Sequence, residues 1–242
     1  MKYIQIASYP KSGNTWVSQI ISDLFGLDVG QGVLGLHGNV SIKDAMPIEI
    51  RGEDICFVKH HARLQNQHVP ISGVIYMYRH PLAVFVSSLN YMGIRNRTDA
   101  FINGVVKSVD QIVRDGEMDF YFDRFMQMGG WEFYRFDKQT GTWFDHFNYW
   151  QSVSRSMDSF YALQYEKMLV NPLDEFLQVV TELLGKSESE LRSALILADE
   201  NTQVDGKFFW KRKAETYREY LLEEQISSFE NKYRDTLMRM GY

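Results

Sequence analysis

Tyr9-Pro10-Lys11-Ser12-Gly13-Asn14-Thr15-Trp16 stands between a short apolar run, Tyr3 to Ala7, and a segment whose apolar residues recur at helical spacing through Ile20, Ile21 and Leu24 to Gly26. A strand that passes into a helix through such a loop leaves the first N–H groups of the helix unpaired, and with the helix dipole behind them they form an anion site. Gly13 lets the backbone curl, Lys11 adds a full positive charge, and Ser12 and Thr15 add hydroxyl donors. The order is not that of a Walker A loop, which closes on G-K-[ST] with the lysine after the second glycine. Here Lys11 precedes the only glycine of the stretch, and no aspartate at a strand end suits magnesium, so a nucleoside triphosphatase is disfavoured.

Working outward, three more segments read as buried strands: Ile55 to Lys59, Val74 to Tyr78 and Phe160 to Gln164. Helical patterns lie between them. Pro81 opens one through Val84, Val86 and Leu89. Pro172 opens another through Phe176, Val179, Val180 and Leu183, closed by Gly185, and a charged helix covers Leu221 to Met240. Strand, loop and helix in this alternation predict an α/β fold: one domain over residues 1–242, with a central parallel β-sheet flanked by helices and a P-loop-like anion loop. The stretch 115–150 stands apart. It crowds Phe120, Tyr121, Phe122, Phe125, Trp131, Phe133, Trp143 and Phe147 among Gly129, Gly130 and Gly141, and suits a loop-rich cap over an acceptor pocket. A helical excursion whose aromatics fill core is the plainer alternative.

Composition narrows the function. The 242 residues carry 26 Lys+Arg against 31 Asp+Glu, a net charge of −5, which argues against a nucleic-acid binder but leaves room for a small anion held by local cations. Cys56 is the only cysteine, so no intramolecular disulfide forms. Neither a membrane-spanning apolar run nor a signal-peptide pattern is visible, and the expectation is a soluble, cytoplasmic protein without membrane or nucleic-acid partners.

The octapeptide, placed after an N-terminal strand, resembles the 5′-phosphosulfate-binding loop of the sulfotransferases that use 3′-phosphoadenosine 5′-phosphosulfate (PAPS). A second segment, Tyr78-Arg79-His80-Pro81 with Ser87 and Asn90, is similar to that family's 3′-phosphate segment, an arginine followed by a serine eight positions on. A planar guanidinium fork suits phosphate oxygens, and Ser87 lies about two turns into the following helix at ~3.6 residues per turn. A third, Gln164-Tyr165-Glu166-Lys167-Met168 before Asn171-Pro172, resembles the family's YED-type segment with Lys167 in place of the aspartate. The resemblance implies that Tyr165 contacts the adenine ring, with Trp16 able to stack on it. The co-substrate site implied is Lys11, Ser12, Gly13, Asn14, Thr15, Trp16, Arg79, Ser87, Tyr165 and Lys207.

Sulfuryl transfer needs a base for the acceptor proton and cations for the transferring and leaving groups. The chain has six histidines: His37, His60, His61, His68, His80 and His146. Lys59-His60-His61 follows a strand, at the sheet edge where α/β sites gather. In the family the segment reads Lys-Thr-His and its histidine is the base, which selects His61. His60 as base, or a pair in which one ring merely packs, stays open. His80, beside Arg79, reads as neutral and structural. A zinc site built from His60, His61 and His68 lacks a cysteine pair and carries little weight, so no metal is expected. Lys11 is the candidate for the leaving oxygen and Lys59 for the sulfuryl group.

The family's C-terminal Arg-Lys-Gly triplet is harder to place. Counting back seven from Trp210 reaches Gln203, so either Gly206 and Lys207 supply this wall from a shifted loop or Arg212 and Lys213 fold over. The segment after Trp210 also departs from the family's dimerisation pattern, so the dimer built through that segment is not expected, and the oligomeric state stays open. The function implied is PAPS-dependent sulfation of a hydroxyl or amine of a small-molecule acceptor. Asp115, Glu117, Asp119 and Asp123 beside aromatic residues suggest a cationic one, with a solvated acidic surface as the alternative. A metal-dependent phosphotransferase with a variant phosphate loop, or a catalytically silent nucleotide-binding module, are the competing readings.

Overall fold

Every residue of the first strand after Lys2 is buried, which places β1 (Lys2–Ser8) inside a sheet rather than at its edge. The computed structural model describes residues 1–27, 32–36, 44–63, 71–94, 107–134, 139–202 and 210–242. Among these, β1 pairs in parallel with β4 (Glu53–His60) on one side and β5 (Ile71–Tyr78) on the other, and β6 (Phe160–Gln164) continues the parallel run beyond β5. Two short strands share the outer side of β4. β2 (Val33–Gly35) is parallel along Phe57–Lys59, and β3 (Ile48–Ile50) is antiparallel along Glu53–Ile55. Neither is foreseen by periodicity, since three residues are too few to show alternation.

The register brings four strand ends to one edge. Ala7 faces His60, Ser8 faces Met77, and Tyr78 faces Gln164. The chain therefore leaves β1, β4, β5 and β6 at neighbouring points, and the strand order reverses direction around β1, where open α/β sheets bind ligands.

Helices cover both faces. Against one face lie α1 (Asn14–Leu24), α8 (Pro172–Gln178) and α9 (Glu188–Asn201), burying Ile20, Ile21, Phe176 and Leu191 on Ile4, Ile6, Phe57, Ile75 and Met77. Against the other lie α2 (Pro81–Ile94), α3 (Val109–Arg114), α4 (Met118–Met128), α5 (Trp131–Tyr134), α6 (Trp143–Ser154) and α10 (Glu223–Met240), packed around Ala7, Val74 and Tyr76. The short α7 (Tyr165–Val170) follows β6 directly. No helix among the described residues is long and apolar enough to cross a membrane.

Two expectations change. Among the described residues the stretch 115–150 is mostly helical rather than loop-rich, and most of its aromatics are core: Tyr121, Phe122, Phe125, Phe133, Trp143, Phe147 and Trp150 are buried, while Phe120 is exposed. The reason is visible in α6, where Trp143, His146, Phe147 and Trp150 form the i, i+3, i+4, i+7 stripe of a helix facing the core, capped by the Thr142 hydroxyl on Asp145 N–H at 3.0 Å. The helix opened by Pro172 also does not run evenly to Leu183. After Gln178 it widens into a π-helical turn over Val179–Leu183, before Gly185 in left-handed geometry.

Candidate functional site

Gly13 caps α1 at φ 104, and a Cβ there would stand 2.7 Å from the Tyr165 ring, so glycine is required twice over. Lys11 adopts φ 68, a left-handed conformation costly for any residue with a Cβ. The resulting curl leaves the main-chain N–H groups of Gly13, Asn14 and Thr15 without backbone partners among the described residues, while Trp16 and Val17 N–H bond back to the Gly13 carbonyl. The Asn14 side chain turns inward to the Ile6 carbonyl at 3.3 Å, so what Asn14 presents outward is its backbone N–H. Ser12 is buried at the base of the loop. The Lys11 ammonium sits 4.3 Å above the Tyr91 ring of α2, and Ser87, one turn earlier on that helix face, lies on the same side.

Lys59, the penultimate residue of β4, holds its ammonium 3.3 Å from the Thr15 hydroxyl, and burial lowers its pKa to about 8. At neutral pH it remains mostly charged, directly beside the loop.

The next two residues are anchored through opposite ring tautomers. His61 Nδ1 lies 2.9 Å from the Ser8 carbonyl, which can only accept, so the proton is on Nδ1 and Nε2 carries the lone pair. His60 is the reverse: its Nδ1 accepts from Ala62 N–H at 2.8 Å, which puts the ring proton on Nε2. His80 is buried, accepts from Leu82 N–H, stacks on Tyr217 at 4.7 Å and is pushed down to about 3, by burial first and then by Arg218 and Arg79; it belongs to the framework.

Arg79 closes β5. Its guanidinium donates to the Lys11 carbonyl at 3.3 Å and the Lys213 carbonyl at 2.9 Å, and it lies 4.2 Å over the Tyr165 ring. Its buried Nε makes no hydrogen bond among the described residues. Trp16 meets Tyr165 edge-on at 6.2 Å, and the Arg212 guanidinium lies 5.2 Å over Trp16. Glu166 supports this wall from behind, accepting from His80 N–H at 3.1 Å and from the Tyr242 hydroxyl, and burial raises its pKa. Loop, Arg79, Trp16, Tyr165, Lys59 and His61 thus converge on one sheet edge.

Of the two alternatives for the C-terminal wall, Arg212 and Lys213 lie among the described residues: Lys211 and Arg212 take φ 56 and 46, and this turn carries the Lys213 carbonyl onto Arg79. Gln203, Gly206 and Lys207, together with His37 and His68, lie outside the described residues.

Sequence reasoning does not single out Ser8, whose carbonyl holds the His61 ring, nor buried Tyr76 and Glu132, and it leaves His146 unplaced. Buried Glu132 has a carboxyl raised to about 7, by desolvation against the opposing pull of its own and Gly130's N–H groups and Arg124. The stripe of buried positions in α6 is the signal that would have placed His146 inside. The acidic residues of the middle region are spoken for differently: Asp115 and Glu117 pair with Lys107 at 2.7 and 2.6 Å, Asp119 accepts from Gln225 at 2.7 Å, and Asp123 is exposed.

A family model described as the sulfotransferase domain matches residues 2–241. Among characterised proteins, rat sulfotransferase 1C2 is 24% identical over 235 residues, covering 94% of this chain and 73% of that one. Human sulfotransferase 2B1 is 29% identical over 181 residues, 68% of this chain and 41% of its own length. Among solved structures, mouse sulfotransferase SULT7A1 complexed with PAP superimposes with a TM-score of 0.63 at 17% identity, covering 97% of this chain and 84% of that one. Retinol dehydratase in complex with androsterone and the inactive cofactor PAP gives 0.65 at 17% identity, covering 98% and 81%.

Proposed function

Starting from a chain that belongs to the sulfotransferase family, we propose that it moves a sulfuryl group from PAPS to a hydroxyl or amine of a small-molecule acceptor, with His61 as general base. One observation carries the reading: Ser8 both anchors the His61 ring and leads straight into the anion loop, so base and phosphate site share a single strand end.

In this reading the 5′-phosphosulfate lies on the N–H groups of Gly13, Asn14 and Thr15, with Lys11 beside the bridging oxygen. His61 Nε2 takes the acceptor proton as the acceptor oxygen or nitrogen bonds to sulfur. The sulfur–oxygen bond to the 5′-phosphate breaks, and its electron pair leaves on that phosphate, giving adenosine 3′,5′-bisphosphate (PAP). Lys59 neutralises charge on the sulfuryl oxygens and Lys11 on the leaving oxygen. The 3′-phosphate falls to Arg79 Nε, Ser87 and the Arg212–Lys213 turn, and the adenine to Trp16 and Tyr165. Residues 115–150 form the acceptor side, a wall of packed helices.

Calorimetric titration with PAP, beside ADP and magnesium–ATP, tests this directly. Metal-independent binding of PAP is expected. Binding of magnesium–ATP alone overturns the proposal in favour of phosphoryl transfer, and PAP binding with no turnover of PAPS leaves a silent module.

A further inference from the structure

Lys211, Arg212 and Lys213 put three consecutive cations on one tight turn, where like charges repel unless each is given its own direction. Two carboxylates sort them. Glu219 takes the ammonium groups of both Lys211 and Lys213, the latter at 3.0 Å, and the two lysines, Lys211 foremost, hold its carboxyl below the usual carboxylate range. Arg212 goes elsewhere. Its Nη1 donates to Asp199 at 2.6 Å, and its guanidinium lies 5.2 Å over the Trp16 ring. Left-handed geometry at Lys211 and Arg212 is costly for residues with a Cβ, so the turn depends on what holds its side chains.

Asp199 can hold Arg212 because its own place is fixed. It stands in the last turn of α9 beside Ala198, which is fully buried, and α9 is tied to α1 by the Asn201 amide on the Asp23 carboxylate at 3.1 Å. Trp16 belongs to that same α1. Arg212 thus reaches from a turn onto two packed helices. Asp199 engages Nη1 alone, and Arg212 makes no other side-chain hydrogen bond among the described residues. The Nε–Nη2 edge is left, and such an edge meets a phosphate through two parallel bonds. Lys213 is committed differently, its ammonium to Glu219 and its carbonyl to Arg79.

We propose that Asp199 is a positioning residue for the co-substrate: it holds Arg212 beside Trp16 so that the Nε–Nη2 edge receives the 3′-phosphate. This rests on the reading of the site as a PAPS site. A carboxylate near an anion has two opposed effects, repulsion through space and orientation of the guanidinium. Asp199 is 71% exposed, so water and salt screen the repulsion, whereas the order imposed on a long side chain is not screened. Orientation therefore wins.

The test uses two nucleotides that differ only by the 3′-phosphate, PAP and adenosine 5′-monophosphate (AMP), titrated calorimetrically. Arg212→Ala is expected to lower PAP affinity about 10- to 100-fold and Asp199→Ala about 3- to 10-fold, both largely sparing AMP. In the double variant D199A adds nothing to R212A, because the anchor acts only through the residue it holds. Circular dichroism melting confirms that each variant folds. If D199A weakens AMP as much as PAP, or weakens PAP equally with and without Arg212, the positioning role is wrong. It is wrong too if D199A binds PAP as wild type does or more tightly, the second outcome making Asp199 a competitor of the phosphate. If R212A keeps the wild-type preference for PAP over AMP, the turn does not face the 3′-phosphate, whatever Asp199 does. If the wild-type protein shows no such preference, the PAPS reading itself fails.

Discussion

Between β1 and α1, eight consecutive residues hold a cation, a glycine at φ 104 and three outward backbone N–H groups; from α3 to α6, the buried residues are scattered over four helices and meet only because the chain folds back on the sheet. The first region is a local device. Its anion site depends on which residues follow one another, and little else in the molecule needs to be known to recognise it. The second is a collective one, where Phe125, Phe133, Trp143 and Trp150 contribute volume. Substitutions in the two regions are expected to fail in different measurements.

The sharpest separation comes from His61→Ala, expected to lower turnover ~10²–10⁴-fold while PAP affinity in calorimetry stays nearly unchanged. Loss of affinity with retained turnover breaks the division of roles. On the other side, Trp150→Ala removes a fully buried ring and is expected to cost ~3–5 kcal/mol in denaturant unfolding, with PAP affinity of the folded protein intact. A Trp150 variant of normal stability means that the helical region is not the core it is described as. Arg79→Ala sits between the two, since its guanidinium ties the anion loop to the C-terminal turn; PAP affinity is expected to fall roughly 10- to 100-fold, with any loss of turnover recovered at saturating PAPS. The smallest effect is a proton count. An anion on the loop restores Lys59 from about 8 toward the ordinary lysine value, so the complex holds more protons than its parts just above that pH. At pH 8 to 9, PAP binding is expected to take up a substantial fraction of about one proton, read by calorimetry in buffers of different ionisation enthalpy and absent in Lys59→Met. Proton release, or none, places Lys59 away from the anion.

The same division governs what the amino-acid order reveals. The ends of the parallel strands, to within a residue at Ser8 and His60 and matched at Tyr78 and Gln164, the loop glycine and the proline-opened helices are legible because each rests on neighbouring residues. The expectation of His61 over His60 rests on a family pattern, and the anchoring of its ring on the Ser8 carbonyl is visible only once β1 and β4 are paired. The placing of Arg212 and Lys213 beside Arg79 depends on a left-handed turn that no composition announces. The aromatic crowd from Phe120 to Trp150 misled because glycines among aromatic residues resemble a loop. Gly129 and Gly130 in fact punctuate short helices, and Gly130 is needed where a Cβ would meet the Tyr9 hydroxyl at 2.6 Å.

The guanidinium of Arg79 has a further consequence. By binding the carbonyls of both Lys11 and Lys213, it makes two loops from opposite ends of the chain open and close as one unit. In native-state hydrogen exchange, amides of Gly13 to Thr15 and of Ala214 to Tyr217 are expected to share one opening free energy and to slow together when PAP is added. Arg79→Ala uncouples them, leaving two loops that breathe independently.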